Sequence, residues 1–170
     1  MQILIRPAER DDEPFLWEML YYAAHMSEDG ETDVGAAREN AGLQKYVQGW
    51  GQANDIGVLA LEEASQRPLG AAWMRVLQEE KKMSPLIPAG TPELAIAVLP
   101  DQLGRGIGTR LLETLLPAAR QVYPAIVLSV RKDNPARHLY ARMGFEVIDT
   151  GISRVGSESF VMLKRFTTIS

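Results

Sequence analysis

The chain has 170 residues, 46% hydrophobic and 24% charged, with a formal net charge of −4, two histidines and no cysteine. That length and composition fit one globular domain around one sizeable core. The acidic balance gives no electrostatic footing for nucleic acid or an anionic membrane surface, and the Cys and His counts leave too few ligands for a thiolate or histidine metal site or a cysteine nucleophile, so no metal is expected.

Ile3 to Arg6 reads as a first strand closed by Pro7. The same N-terminus lacks the charged start and long apolar middle of a signal peptide. No apolar run approaches the roughly 18 residues of a membrane span, so a cytoplasmic protein without membrane contact is expected. Asp11 or Asp12 can cap a helix carrying Phe15, Leu16, Met19, Leu20 and Ala23 and reaching towards His25. Ser27 to Asp33 is a polar, acidic loop. Thr32 or Asp33 then caps a second helix over about 34–50, which Gly35, Gly42 and Gly49 weaken.

Ile56–Leu61 and Pro68–Leu77 read as strands joined by a hairpin turn at Glu62–Arg67. Alternation puts Trp73 and Arg75 on one face, Met74 and Val76 on the other. The connection 78–91 is polar, then rich in Pro and Gly. It is longer than usual and reads as a lid or mobile edge. Glu93–Leu99 is a buried strand. From Ile107, residues Leu111, Leu112, Leu115 and Leu116 form one helical face, which Pro117 should kink or shorten. Ala125–Val130 is a strand, a short helix follows Asn134, and Glu146–Ile148 with Ser159–Leu163 makes a closing hairpin. No internal repeat or low-complexity segment interrupts this order. The order β-α-α-β-β-β-α-β-α-β-β predicts an α/β fold, with parallel pairing somewhere in 93–150 and antiparallel pairing elsewhere.

Between the 93–99 strand and the Ile107 helix lies Pro100-Asp-Gln-Leu-Gly104-Arg-Gly106-Ile-Gly108-Thr109. Glycine removes the side chain between backbone and ligand. A glycine-rich turn at a helix N-terminus aims N–H groups at an anion, and the helix dipole adds to the attraction. The plain reading is a pyrophosphate cradle. A P-loop is excluded, because Gly108 is followed by Thr109-Arg110 rather than Lys-Ser/Thr. A Rossmann fingerprint is excluded too, because its third glycine would fall on Thr109 or Leu111.

The run resembles the R/Q-x-x-G-x-G/A acetyl-CoA loop of the GNAT acyltransferase superfamily. Gly106 and Gly108 take the two glycine positions, and Leu103 stands where Arg or Gln is usual, with Gln102 displaced by one. A second segment, Asn134-Pro-Ala136-Arg-His-Leu-Tyr140-Ala-Arg-Met-Gly144-Phe145, resembles the family's N-x-x-A-x-x-x-Y-x-x-x-G-F helix. Local chemistry agrees with that helix. Asp133 or Asn134 is a good N-cap, Pro135 suits the first helical position, and Gly144 suits the residue that ends the helix. The resemblance covers residues 92–165 by motif and the first 90 by order of elements. It implies a single domain over 1–170, with a mixed, strongly twisted central sheet and helices on both faces.

The resemblance also implies roles. Backbone groups of Ile96, Ala97 and Val98 would pair with the pantetheine arm of acetyl-CoA. Backbone N–H groups over Leu103, Gly104, Arg105, Gly106, Ile107, Gly108 and Thr109 would bind the pyrophosphate, with Arg105 and Arg110 adding charge. Asn134 would contact the CoA arm. Acetyl transfer to an amine needs a base, because an alkylamine is neutral at pH 7 to only about one part in a thousand. The departing thiolate needs a proton donor, and a phenol is protonated at that pH. Tyr140 matches the family's tyrosine acid. Glu93, at the start of the strand that feeds the cradle and among apolar residues that would desolvate it, is the best candidate base.

The acceptor pocket would come from Glu28, Asp29, Glu31, Asp33, Trp17, Trp50, Tyr21, Tyr22 and the 151–156 loop. The expected partner is a primary amine on a small molecule or peptide, and a homodimer is left open. Two other readings compete: a non-catalytic acyl-CoA binding or sensing module on the same fold, and a nucleotide-binding domain, against which the glycine spacing argues.

Overall fold

The computed structural model describes residues 1–78, 81–152 and 155–166. Its strands are β1 (Ile3–Pro7), β2 (Ile56–Glu62), β3 (Pro68–Val76), β4 (Pro92–Val98), β5 (Ala125–Arg131), β6 (Glu146–Ile152) and β7 (Glu158–Arg165). They hydrogen-bond as one sheet in the order β1-β2-β3-β4-β5-β7-β6. β1/β2, β2/β3, β5/β7 and β6/β7 are antiparallel, whereas β4 runs parallel to β5 with Glu93 opposite Val127. The mixed α/β sheet expected from the order of elements is therefore present. The helices are α1 (Glu13–Ala23), α2 (Ala36–Glu39), α3 (Ile107–Arg120) and α4 (Ala136–Arg142).

The chain forms two compact units, one of Met1–Arg75 with Ala95–Ala118, the other of Val76–Leu94 with Ala119–Ser170. In the first, Leu16, Met19 and Leu20 of α1 form a buried cluster with Leu59 and Leu61 of β2, Ala71 and Trp73 of β3, and Ala97 and Leu99. β2 and β3 are buried along nearly their whole length, as continuous apolar strands should be. Trp73 and Arg75 share a face, as their alternation requires. Trp73 Nε1 donates to the Tyr46 carbonyl, and Arg75 donates to the Lys45 and Gln48 carbonyls and to Asp55. In the second unit, Ile87 joins Ala125, Val127, Val161 and Leu163 in a smaller core, with Met83 and Ile148 against it.

Four expectations change. The helix over 34–50 shrinks to α2 and a 3₁₀ turn at Gln44–Tyr46. Asn40 turns extended and its Oδ1 accepts from the Gly42 N–H at 2.9 Å, so a local side-chain bond replaces the helical ladder. His25 lies beyond α1, in the left-handed region at φ 59°. The Met26 N–H reaches the Tyr21 carbonyl and the His25 N–H that of Tyr22, which closes the helix with a residue usually replaced by glycine.

Pro117 does not end its helix, and α3 continues to Arg120. The proline costs about 3 kcal/mol. Against it stand Leu111, Leu112, Leu115 and Ala119, all 0% exposed, and each such leucine contributes roughly 2 kcal/mol. Finally, the described part of 78–91 is tied down rather than free. Ile87 is in the core, Ser84 Oγ donates to Asp149 at 2.5 Å, and Lys82 Nζ donates to the Ile87 and Pro88 carbonyls. Glu79 and Glu80 of that connection lie outside the described residues.

Candidate active site

The glycine turn belongs to the first unit. β4 ends at Val98, and the Leu99 N–H donates to the Leu69 carbonyl at 2.8 Å. Pro100 then starts a 3₁₀ turn to Gln102, and the chain reverses through Gly104 and Gly106 into α3. Gly104 has φ +79° and Gly106 φ +75°, the left-handed region where a side chain is strained. A Cβ built on Gly104, Gly106 or Gly108 would meet nothing within 4 Å. The turn is thus glycine-rich for its backbone path at two positions and uncrowded at all three.

Arg110 is the first residue of α3 whose N–H finds a carbonyl, that of Gly106 at 3.1 Å. The N–H groups of Gly106, Ile107, Gly108 and Thr109 precede it and donate to no backbone oxygen among the described residues. Ile107 is 2% exposed and pins the helix start. Free donors, an open glycine surface and a helix N-terminus on a buried anchor are the features that suit a bound anion. Ile96 and Val98 on the approaching strand are half-buried and Ala97 is buried.

Leu103 and Gln102 part company. Leu103 is 66% exposed, whereas Gln102 is buried and its Oε1 has no partner. Next to it, Asp101 pairs with Arg67 at 3.1 Å. Arg67 holds the Asp101 carboxyl below its usual range, with help from the Gln102 amide. Sequence spacing pointed to Leu103 as the motif position and gave no sign that Gln102 would be the buried polar group. A solvent-facing leucine beside a buried glutamine is a packing outcome that period alone does not encode.

The second unit holds the other candidates. Pro135 rather than Asn134 stands at the N-cap of α4, and the Asn134 Oδ1 accepts from the Ala136 N–H at 2.9 Å in a side-chain turn just before the helix. It ends on Gly144 at φ +96°, with the Phe145 N–H on the Tyr140 carbonyl and the Gly144 N–H on that of Ala141. That closure brings Phe145 edge-on to Tyr140, ring centroids 6.1 Å apart. Tyr140 is buried, and its hydroxyl makes no hydrogen bond among the described residues. Burial alone pushes the phenol up to about 12, so it is protonated throughout the physiological range. Glu93 on β4 is also buried, at 6% exposure, beside buried Pro92 and Leu94.

A family model, Acetyltransferase (GNAT) family, matches residues 15–145. The chain belongs to the GNAT acetyltransferase family. Its activity class is acyl transfer. GNAT structures share its fold at low identity. YncA of Salmonella typhimurium, solved with acetyl-CoA, is 20% identical, with TM-score 0.65 over 99% of this chain and 96% of that one. The PaiA N-acetyltransferase of Thermoplasma acidophilum, solved with coenzyme A, is 21% identical, with TM-score 0.64 over 98% and 100%. The aminoglycoside acetyltransferase AAC(6')-Ib, solved with coenzyme A and kanamycin, is 19% identical, with TM-score 0.61 over 96% and 95%. No curated protein sequence matches significantly.

The acceptor residues suggested by the GNAT resemblance divide. Trp17 and Trp50 are buried with their indole N–H groups bound, to Glu13 Oε2 and to the Glu9 carbonyl. Tyr21 is buried, and its hydroxyl donates to the Glu31 carbonyl. These three are core residues with satisfied tips. Tyr22 is half-buried and stacks edge-on to Tyr21. Burial raises its phenol, and Glu18, Tyr21 and Asp101 raise it further. Glu28, Asp29, Glu31 and Asp33 are exposed. Two of them cap local backbone, Glu31 taking the Asp33 N–H and Asp33 the Gly35 N–H, while Glu28 meets His25 at 3.0 Å. Ser153 and Arg154 of the 151–156 loop lie outside the described residues. Among the described residues no helix is long and apolar enough to cross a membrane.

Proposed function

We propose that this chain is a cytoplasmic N-acetyltransferase that moves an acetyl group from acetyl-CoA to a primary amine of a small molecule or peptide, and that residues 1–170 act as one catalytic domain. The observation that carries the reading is the glycine turn, with open space over Gly104, Gly106 and Gly108 and free N–H groups at the start of α3. The family match supports it, because the matched span includes the turn, Glu93, Asn134 and Tyr140.

In this mechanism the turn takes the donor's pyrophosphate and the backbone of Ile96–Val98 takes the pantetheine amides. Asn134 contacts the arm from the turn that leads into α4. Glu93, or a water it holds, accepts a proton from the ammonium form of the acceptor. The free amine attacks the thioester carbonyl, the tetrahedral intermediate loses its C–S bond, and the extra proton on the nitrogen passes to the departing sulfur, directly or through solvent, giving the acetamide and free coenzyme A. Tyr140 serves that sulfur. A phenol at about 12 holds its proton more firmly than an alkyl thiol, whose pKa is about 8.5. Its main contribution is a desolvated hydrogen bond to the developing thiolate, a stabilisation that exists only as charge appears.

The test is release of free coenzyme A from acetyl-CoA in the presence of a panel of amines: diamines and polyamines, amino sugars, amino acids and peptide N-termini. Amine-dependent release supports the enzyme. Tight acetyl-CoA binding with no release on any amine would favour the non-catalytic module.

A further inference from the structure

We infer that Ser129 holds the acceptor amine beside Glu93, its hydroxyl oxygen accepting one N–H while the carboxylate takes the proton that must leave. This rests on the acetyl-transfer reading above, and it adds an acceptor-binding residue from the second unit, where Glu93 itself lies. The sheet sets the position. Glu93 stands opposite Val127 in the parallel β4/β5 ladder. Further across, Val127 stands opposite Leu163 of β7 and Ser129 opposite Val161. Side chains alternate along a strand, and residues opposite each other across a ladder share a face. Glu93, Val127, Ser129, Val161 and Leu163 therefore lie on one face of the sheet. Val127, Val161 and Leu163 close into the core with Ile87, and Glu93 and Ser129 are its polar neighbours.

The two differ in access. β5 is buried from Ala125 to Leu128 and again at Val130, and only Ser129 between them is exposed. The cover that Ile87 and Met83 give the core stops short of Ser129, and solvent reaches the face there. Glu93 is 6% exposed and does not gather a cation from water by itself. A base must come within about 3 Å of the proton it takes. The substrate nitrogen therefore has to settle on this face next to Glu93, and Ser129 is the exposed polar group placed to receive it. Positions offset by two across a ladder are about 7–8 Å apart at Cα, a span that a glutamate side chain and one nitrogen can bridge. An ammonium carries three N–H donors, and a hydroxyl oxygen has two lone pairs to accept them. Once one proton has gone to Glu93, the bond to Ser129 Oγ fixes how the nitrogen is turned and leaves its lone pair for the thioester carbonyl.

The experiment measures steady-state kinetics of the wild type and of Ser129→Ala, Ser129→Thr and Ser129→Val, on whichever of putrescine, glucosamine, alanine and trialanine the wild type turns over fastest. Thr and Val have nearly the same shape and differ in the hydroxyl, and both suit a strand. Ser129→Ala should lower kcat/KM for the amine by about tenfold or more, the worth of a hydrogen bond to a charged group, and leave KM for acetyl-CoA unchanged. Ser129→Thr should recover most of that loss, and Ser129→Val should not. Three results would overturn the inference: wild-type kcat/KM for the amine in Ser129→Ala, a Thr variant no better than the Val variant, or a KM for acetyl-CoA that rises as much as the amine term falls. Wild-type protein that binds acetyl-CoA but turns over none of the four amines would instead contradict the acetyl-transfer reading, and this inference with it.

Discussion

Tyr140 is defined by what surrounds its hydroxyl. Its ring is wedged against Phe145 by the turn at Gly144, and burial moves the phenol from its ordinary value to about 12. Because the folded value lies above the unfolded one, folding stability from the neutral phenol is complete below about pH 10 and is lost as pH rises through 12. Tyr140→Phe should therefore blunt the alkaline loss of stability over that window, by about 3 kcal/mol, read from denaturant melts of both proteins. The same substitution should lower kcat by roughly 10²-fold with little change in acetyl-CoA affinity. Wild-type turnover with chemistry rate-limiting would return Tyr140 to the core. Glu93→Gln should cost turnover most at low pH and recover as the amine deprotonates unaided; a pH–rate profile that overlays the wild type would move the base elsewhere. Sequence pattern singled out both residues, Tyr140 by motif and Glu93 by strand position, and both are buried. Gln102 was not, because its buried, unpartnered Oε1 follows from the three-dimensional path of a 3₁₀ turn.

At the level of elements, sequence pattern was most informative where local chemistry and packing agreed. α4 has the Asn134 side-chain turn and Pro135 at its start, its stop at Gly144 and one apolar contact across that stop, and its limits follow from those residues. β2 and β3 were readable as apolar runs around a polar turn. Pattern misled where tertiary contacts outweighed a local signal. Pro117 was overruled by the leucines of α3, and the 34–50 helix by Asn40 and by anchors that no periodicity reveals. One of those anchors is the Glu13 carboxylate on the Trp50 N–H at 3.0 Å. Another is Arg75, which holds the segment by the Lys45 and Gln48 carbonyls and is itself paired with Asp55, their side chains 12% and 5% exposed. Burial would raise the Asp55 carboxyl, but hydrogen bonds from Arg75 and from the Gln52 and Gly51 N–H groups outweigh it and leave it below the usual range. Its stabilisation is thus present at neutral pH and lost as pH falls through that depressed value. Asp55→Ala leaves the largely buried Arg75 guanidinium without its carboxylate, held only by the Lys45 and Gln48 carbonyls, and should cost about 3 kcal/mol at pH 7. In a chain of this size that lowers Tm by roughly 10 °C. A melt within 2 °C of wild type would show, on the same scaling, that the pair holds nothing.

For the whole molecule, charge is unevenly distributed. The unit built from Met1–Arg75 and Ala95–Ala118 carries about two thirds of the acidic residues and fewer than half of the basic ones. On the proposed function, a polyanionic donor binds this unit where local donors outweigh that field, and the glycine turn with its free N–H groups is the candidate place. The central claim is that this turn binds acetyl-CoA for acetyl transfer. Its most direct test is calorimetric titration of acetyl-CoA into the wild type and into Gly106→Glu. Gly106 is exposed, and a side chain there meets no protein atom within 4 Å. The variant should still fold, checked by circular dichroism, though strained at φ +75°, while its carboxylate occupies and repels the phosphate position. The account predicts saturable binding to the wild type and none to the folded variant. Unchanged affinity in the folded variant, or a wild type that binds ATP or NAD but not acetyl-CoA, would contradict it.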